Sequence, residues 1–328
     1  MRFGFFAYLR IYKVIIKEGF MAEKYRLITR SDFDGLVCAM ILKELDLIDD
    51  IKFVHPKDMQ DGLIEVTDKD ISTNLPYVPG IFMAFDHHES EVTRAGGKHD
   101  NHIIEPDAPS AARVVYNYYG GAEALPRITE EIMIAVDKAD SAQYEMDDIL
   151  NPKGWVLLSY LMDARTGLGR FRDFRISNYE LMMQLIDYCL LHSIEEIVEL
   201  PDVKERVEMY FEQQELFMEQ IRRVHQIVGD VIVLPLKDEE TIYTGNRFLV
   251  YAMYPDVKIS VHVMWGLKKQ NTAVTIGKSI VDRSSQVNIG EVCLQYGGGG
   301  HKNAGTCQLP NDKVDELLPY ILDMLNEK

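Results

Sequence analysis

The chain of 328 residues has little of what builds covalently knotted or fibrous proteins. Its four cysteines, Cys38, Cys189, Cys293 and Cys307, form no CxxC pair. That excludes a disulfide framework and a zinc finger, and it fits a reducing compartment, the cytoplasm. With 12 prolines and 22 glycines, it excludes collagen-like and low-complexity classes. Positive charge is scarce: 35 Lys+Arg stand against 52 Asp+Glu, for a formal charge of −17. Such a chain does not coat duplex DNA by bulk charge, and a small anionic substrate needs a local cluster of cations. No apolar run has the length and freedom from charge of a membrane-spanning helix. The opening segment, MRFGFFAYLRIYKVIIKEGF, is broken by Arg10 and Lys13 and has no A-x-A-like cleavage site. Residues 1–21 therefore read as an upstream-extended start or a short docking helix, with no membrane partner.

Apolar material, by contrast, is ample. Hydrophobic residues make up 47% of the chain, enough for a core, and the length suits two domains. YRLIT (25–29), IKFVH (51–55), DISTN (70–74) and GIFMAFDHH (80–88) read as strands. LVCAMILKELDL, PSAARVVYNYYGG and TEEIMIAVDKADSA read as helices between and after them. Strands alternating with helices predict an α/β fold with a parallel sheet, whose ligand crevice lies at the carboxyl ends of the strands. Those ends carry Asp32, Asp34, Asn74, Asp86, His87 and His88. Residues 156–228 read as wholly helical, a connector whose apolar faces could also pair two chains as a homodimer. From 229 to 328 strands return (DVIVLPL, VKISVHVMW, TAVTIGKSI) and a terminal helix follows, predicting a smaller second α/β domain. The expected organisation is an extension (1–21), a first domain (22–155), the connector (156–228) and a second domain (229–328), with the active site in a cleft between the domains.

Four constellations could carry chemistry. Ser31-Asp32-Phe33-Asp34-Gly35 sets two carboxylates beside a tight-turning glycine, a grip for a hard divalent cation. A solvated acidic turn or a helix cap explains it equally well. Asp86-His87-His88 puts two imidazoles behind a carboxylate at a strand exit, the pattern of a metal ligand with a supporting acid. Surface histidines are its bland reading. Asp137 and Asp140 lie at a helix end where acids oppose the helix dipole, which calls for a cation; an ordinary solvated helix end is the alternative. Gly297 to Gly300, followed by His301 and Lys302, bring backbone N–H groups and positive charge to an anion. A flexible linker would explain the glycines too, but Ser and Pro are not interspersed among them.

Taken together and in this order, the four resemble the DHH phosphoesterase family. The DxD turn is Asp32/Asp34, the naming triplet is Asp86-His87-His88, and the GGGH motif of the associated C-terminal domain is Gly298-Gly299-Gly300-His301. The resemblance spans about residues 22–325 and points to the exopolyphosphatase-related and oligoribonuclease branch. It implies a metal-dependent hydrolase of phosphodiester or phosphoanhydride bonds. The implied substrate is a short nucleotide, a single-stranded oligonucleotide or polyphosphate. The family's site holds two Mn²⁺ ions, or Mg²⁺, sharing a water. By resemblance, one ion is held by Asp34, His87 and Asp140, with Asp137 the alternative fourth acid, and the other by Asp32. His88 is expected to touch the substrate phosphate and Asp86 to orient a histidine. Arg113, Arg283, Gly298, Gly299, Gly300 and His301 are expected to hold the substrate. The Arg-dense stretch with Arg165, Arg170, Arg172 and Arg175 either binds phosphates or balances nearby acids.

The chain departs from the family pattern at two positions. Arg30 stands where the family has a metal-binding His, and Asn74 stands where it has a bridging Asp, unless Asp68 or Asp70 fills that role. Arginine cannot ligate a cation. The expectation is therefore one strong metal site, a doubtful second one, and the Arg30 guanidinium in the second ion's place. The alternative is a catalytically weakened protein that binds nucleotide or phosphate in a regulatory role.

Overall fold

The computed structural model describes residues 23–171 and 173–326, so the 1–21 extension and Arg172 lie outside the described residues. The chain divides into two compact units. One comprises the residues up to Ser141 together with Asn178–Ile197, and the other comprises Ala142–Ser177 and Val198–Lys328.

The first unit is built on five strands: β1 (Tyr25–Thr29), β2 (Ile48–Phe53), β3 (Asp70–Thr73), β4 (Met83–Asp86) and β5 (His102–Ile104). They lie in the order β2-β1-β3-β4-β5, and every pairing is parallel. The α/β reading therefore holds, with all the carboxyl ends on one edge. Parallel strands need crossovers, and helices supply those from β1 to β2, from β2 to β3 (Pro56–Gln60) and from β4 to β5 (Glu89–Arg94), while residues 74–82 join β3 to β4 without one. Helix α1 (Phe33–Glu44) follows β1; α2 (Ala111–Tyr118) and α3 (Glu130–Asp140) follow the last strand. Leu36, Val37, Cys38, Ala39, Met40, Ile41 and Leu42 are all buried, so α1 is apolar all round. Such a helix must be enclosed, and it packs against α2, α3 and α4 (Asn178–Leu191).

The second unit carries a six-stranded sheet in the order β10-β11-β9-β8-β7-β6. Its strands are β6 (Gln226–Val228), β7 (Val231–Pro235), β8 (Ile259–Trp265), β9 (Thr272–Lys278), β10 (Gly299–His301) and β11 (Ala304–Leu309). Only β7 and β8 run parallel. Val231, Val233, Ile259, Val261, Val274 and Ile276 form the core with residues of the helices Ile289–Gln295 and Val314–Asn326.

Residues 156–228 are shared between the units: α4 belongs to the first, while the helix Gly154–Met162 and the long helix Pro201–Val224 belong to the second. Nor are they helical throughout. Among the described residues between 163 and 177 the chain makes only two 3-10 turns, Ala164–Thr166 and Leu168–Arg170, separated by Gly167 at φ 96°. A left-handed residue cannot continue a helix, and glycine adopts that conformation without strain. Among the described residues, no helix is long and apolar enough to cross a membrane.

Candidate metal and phosphate site

Several of the candidate residues gather at the carboxyl edge of the first sheet. Gly35 makes the turn possible. A Cβ there would lie 2.0 Å from Arg30 O, so only glycine lets the backbone close on itself. Asp32 then caps α1, its Oδ1 accepting from Gly35 N at 3.0 Å. The helix-cap reading of Asp32 therefore holds. Below them the ends of β1 and β3 are tied: Thr73 Oγ1 lies 2.8 Å from Thr29 Oγ1, which donates to Thr73 O at 3.2 Å.

Asp34, in the first turn of α1, is 2% exposed. Its carboxylate spans the start of α2, taking Ala111 N at 3.1 Å and Ala112 N at 2.8 Å. Those amides are the unsatisfied donors of a helix N-terminus and favour an anion. Ser110 caps the same helix by accepting from Arg113 N at 3.0 Å. Asp137 holds Ser110 in turn: its Oδ1 accepts from Ser110 Oγ at 2.7 Å. The other Asp137 oxygen takes the Arg113 fork at 2.9 and 2.5 Å. The alternative acid, Asp137, is therefore committed to Arg113 and Ser110, while Asp140, one turn further, reaches the site.

Asp86 ends β4 and organises the histidines. Its Oδ1 accepts from His87 N at 2.8 Å and from His88 Nδ1 at 2.7 Å. His87 swings the other way. Its Nδ1 is 3.0 Å from Ala108 O, and a carbonyl can only accept, so the ring hydrogen sits on Nδ1. That directs Nε2 toward Asp140 Oδ2, 3.0 Å away. Nε2 is sealed from solvent yet forms no hydrogen bond, and Asp86 Oδ2 is also buried and unpartnered.

Asp34, His87 and Asp140 each offer one ligand atom, and these atoms lie within 4.8 Å of one another. Burial, with Asp140 and Asp32 close by, pushes the Asp34 carboxyl well above the usual carboxylate range. Burial works against charge on His87, but Asp140 and then Asp34 outweigh it and raise the imidazole to about 9. Asp140 is lowered: burial opposes this, but the His87 imidazole beside it prevails, with smaller help from His88 and Arg30. Two carboxylates crowded on one imidazole, with an orphaned ring nitrogen, are the donor set of a hard or borderline divalent cation. The residues fit Mn²⁺ or Mg²⁺.

The remaining predicted residues divide. Arg30 Nε pairs with Asp32 Oδ2 at 3.1 Å, and its charge reaches Asp140, so it stands on the rim of the cluster. Asn74 directly follows β3 at φ 55°, a conformation asparagine tolerates, and its buried carboxamide has no partner among the described residues. Asp70 sits at the amino end of β3, where Arg26 holds both its oxygens at 2.7 and 3.0 Å, and Asp68 lies in the exposed turn before it. Of the three, only Asn74 is at the carboxyl edge.

On the second unit, Arg283 donates to Ala142 O at 2.7 Å and to Ile280 O at 3.2 Å. The expected glycine loop is partly strand: Gly299–His301 pairs antiparallel with Ala304–Leu309 as an edge hairpin. A Cβ on Gly298 would lie 2.2 Å from Thr306 O, and one on Gly300 2.3 Å from Ala304 O, whereas one on Gly299 would meet nothing within 4 Å. Residue-type reasoning missed the carbonyl of Ala108 and the amides of Ala111 and Ala112, which act through backbone. The signal for the amides was the N-cap serine in PSAAR; nothing in the sequence marked the carbonyl.

No family model matches the chain. Among curated proteins, the A-adding tRNA nucleotidyltransferase of Aquifex aeolicus is 24% identical over 192 residues, 55% of this chain, and the match covers only 21% of that enzyme's length. Among solved structures, the pGpG-specific phosphodiesterase PggH from Vibrio cholerae is 56% identical, with a TM-score of 0.81 over 92% of this chain and 99% of that one. An exopolyphosphatase-related protein from Bacteroides fragilis shares the fold at 13% identity, with a TM-score of 0.51 over 93% of this chain and 94% of that one.

Proposed function

The chain belongs to the DHH phosphoesterase family, and on that footing we propose that it is a metal-dependent phosphodiesterase whose substrate is a short linear dinucleotide of the pGpG kind. One observation carries the metal dependence: Asp34, His87 and Asp140 converge within 4.8 Å, with His87 Nε2 unpartnered. The similarity to a pGpG-specific phosphodiesterase at 56% identity favours the dinucleotide over polyphosphate or longer oligonucleotides.

Asp34, His87 and Asp140 would hold the cation. A divalent ion there supplies charge against the phosphoryl oxygens and acidifies water. The rest falls to the chain's own groups. Asp86 fixes the His88 ring through Nδ1, and as the imidazolium, with both ring nitrogens protonated, His88 would donate its Nε2–H to a phosphoryl oxygen. Ala108 O keeps His87 in the tautomer that leaves Nε2 as acceptor. Arg113 and Asp137 position Ser110 and with it the amides that brace Asp34. Arg30 lends a fixed positive charge beside Asp32, where the family places a second ion. By resemblance, Gly299 and His301 on the second unit would contact substrate.

A substrate panel of pGpG, longer oligonucleotides and polyphosphate tests this. With Mn²⁺, pGpG is hydrolysed fastest, chelator abolishes turnover, and His87→Ala is inactive. Titration should find one tight Mn²⁺ per chain; two tight ions would sink the assignment of Arg30. The Arg30–Asp32 ion pair and the unpartnered Asn74 favour a second reading, a nucleotide-binding protein with weakened catalysis. Arg30→His with Asn74→Asp separates the two. A large gain from an inactive wild type selects the binding protein, and a loss of existing turnover selects the enzyme.

A further inference from the structure

The second unit contains an arginine that the fold holds in place but does not use. Arg247 lies between Asn246 and Phe248, both buried. Asn246 pins the backbone there: Nδ2 donates to Ile149 O at 2.9 Å and to Tyr210 Oη at 3.2 Å, and Oδ1 accepts from Phe248 N at 3.0 Å. Gly245 leaves no slack, as a Cβ there would lie 2.2 Å from the Phe217 ring. The Arg247 guanidinium sits 4.4 Å from the Phe248 ring centroid. Tyr144 packs on the same ring at 5.5 Å and on Tyr160 at 5.0 Å.

Within this aromatic setting Arg247 Nε is sealed from solvent and has no hydrogen-bond partner. Among the described residues, no carboxylate or carbonyl takes any of its five N–H donors; Asp163 acts on it only through space. Its neighbours in the Arg-dense stretch are committed. Arg165 Nε lies 2.7 and 3.0 Å from the Asp163 oxygens, Arg170 donates to Tyr243 O at 3.1 Å, and Arg175 faces Asp202 at 3.4 Å. Burial, then the charge of Arg165, lowers the Arg247 guanidinium to about 10, so it stays charged at neutral pH. The guanidinium is half-buried with its Nε sealed and unpaired, and an anion at its open nitrogens would complete it. Two guanidiniums against one carboxylate also leave a net positive charge.

We propose that Arg247, with Arg165 beside it, binds the terminal 5′-phosphate of the substrate. A phosphate monoester offers two or three oxygens to a planar fork and up to two charges to a cationic pair. The proposal rests on the dinucleotide phosphodiesterase reading and adds to it the group that separates pGpG from GpG.

The test compares kcat/KM for pGpG and GpG in the Mn²⁺-loaded wild type, Arg247→Gln and Arg247→Lys. Wild type prefers pGpG. Arg247→Gln lowers that preference by roughly ten- to hundredfold, read mainly in KM for pGpG, and Arg247→Lys recovers part of it. Equal losses on both substrates, or no loss, would overturn the proposal, as would a marked drop in Tm for Arg247→Gln, which would make the arginine structural. If wild type hydrolyses neither dinucleotide, the phosphodiesterase reading fails by itself. Calorimetric binding of pGpG against GpG then decides: loss of preference in Arg247→Gln upholds the site and its absence ends it.

Discussion

The acid–imidazole cluster of the first unit and the glycine hairpin of the second were both marked by short motifs, but they come to their sequences for different physical reasons. In the cluster the residue types are set by chemistry. Asp34, His87 and Asp140 crowd charge that the fold alone would not choose, and His87 Nε2 is left without a hydrogen bond. In the hairpin most of the glycine is set by space. Gly298 and Gly300 sit against the backbone of β11, and Gly290 sits against Gly300 O at 2.6 Å for an added Cβ. Only Gly299 in that run has room for a side chain and no left-handed backbone to forbid one. A motif can thus mark a site and a packing requirement at once, and substitutions tell them apart.

The largest effect belongs to the cluster. His87→Ala should cut turnover by roughly 10³-fold or more, because it removes a ligand of the ion that neutralises the phosphoryl charge. Stability of the metal-free protein should change far less than activity. Equal losses in Tm and activity would make His87 a packing residue and erase the contrast with the hairpin. Next comes Gly298→Ala. A Cβ 2.2 Å from Thr306 O and 2.6 Å from Cys307 Cα must displace β11, at a cost of about 1–3 kcal/mol. Denaturant unfolding measures it, and an unchanged midpoint would show that the hairpin is looser than its contacts imply.

How much of this the sequence disclosed follows the same division. The parallel sheet and the residues at its carboxyl edge could be read because side-chain identity carried them, and the resemblance named Asp34, His87 and Asp140, which the fold brings together. Asn74 could be separated from Asp70 only in three dimensions: four residues along one strand put them at opposite edges of the sheet, and Arg26 claims Asp70. The Ala108 carbonyl and the Ala111 and Ala112 amides were illegible as residue types, since any residue supplies them. Arg247 carried no motif, and its significance lies in the absence of partners, which no sequence states. The 163–177 stretch was misread as helix because Gly167 counts as one weak residue in a composition window but in the fold adopts a left-handed turn.

Protons sharpen the comparison further. His87 is raised to about 9 in the metal-free fold. The stabilisation it contributes is fully present below its ordinary 6.5 and fades as pH rises through about 9. Asp34 is also raised, so its ionisation weighs against the metal-free fold above its ordinary 3.8. A cation needs Nε2 unprotonated and both acids charged, so it must displace these protons. Apparent Mn²⁺ affinity should rise with pH, by about tenfold per unit for each proton released, until His87 is neutral. Calorimetry in buffers of different ionisation enthalpy counts the protons. A pH-independent affinity with no proton release would place the ion elsewhere.

The smallest expected effect is the most discriminating for the hairpin. Gly299→Ala meets nothing within 4 Å, so the fold should accept it with no shift in Tm. If the exposed edge of β10 lies against substrate, the methyl group holds the ligand off the backbone N–H groups. KM should then rise about two- to tenfold, the value of one such hydrogen bond, while kcat falls less. If KM does not move, the glycines of this run are all explained by packing against β11, and substrate recognition on the second unit rests on side chains.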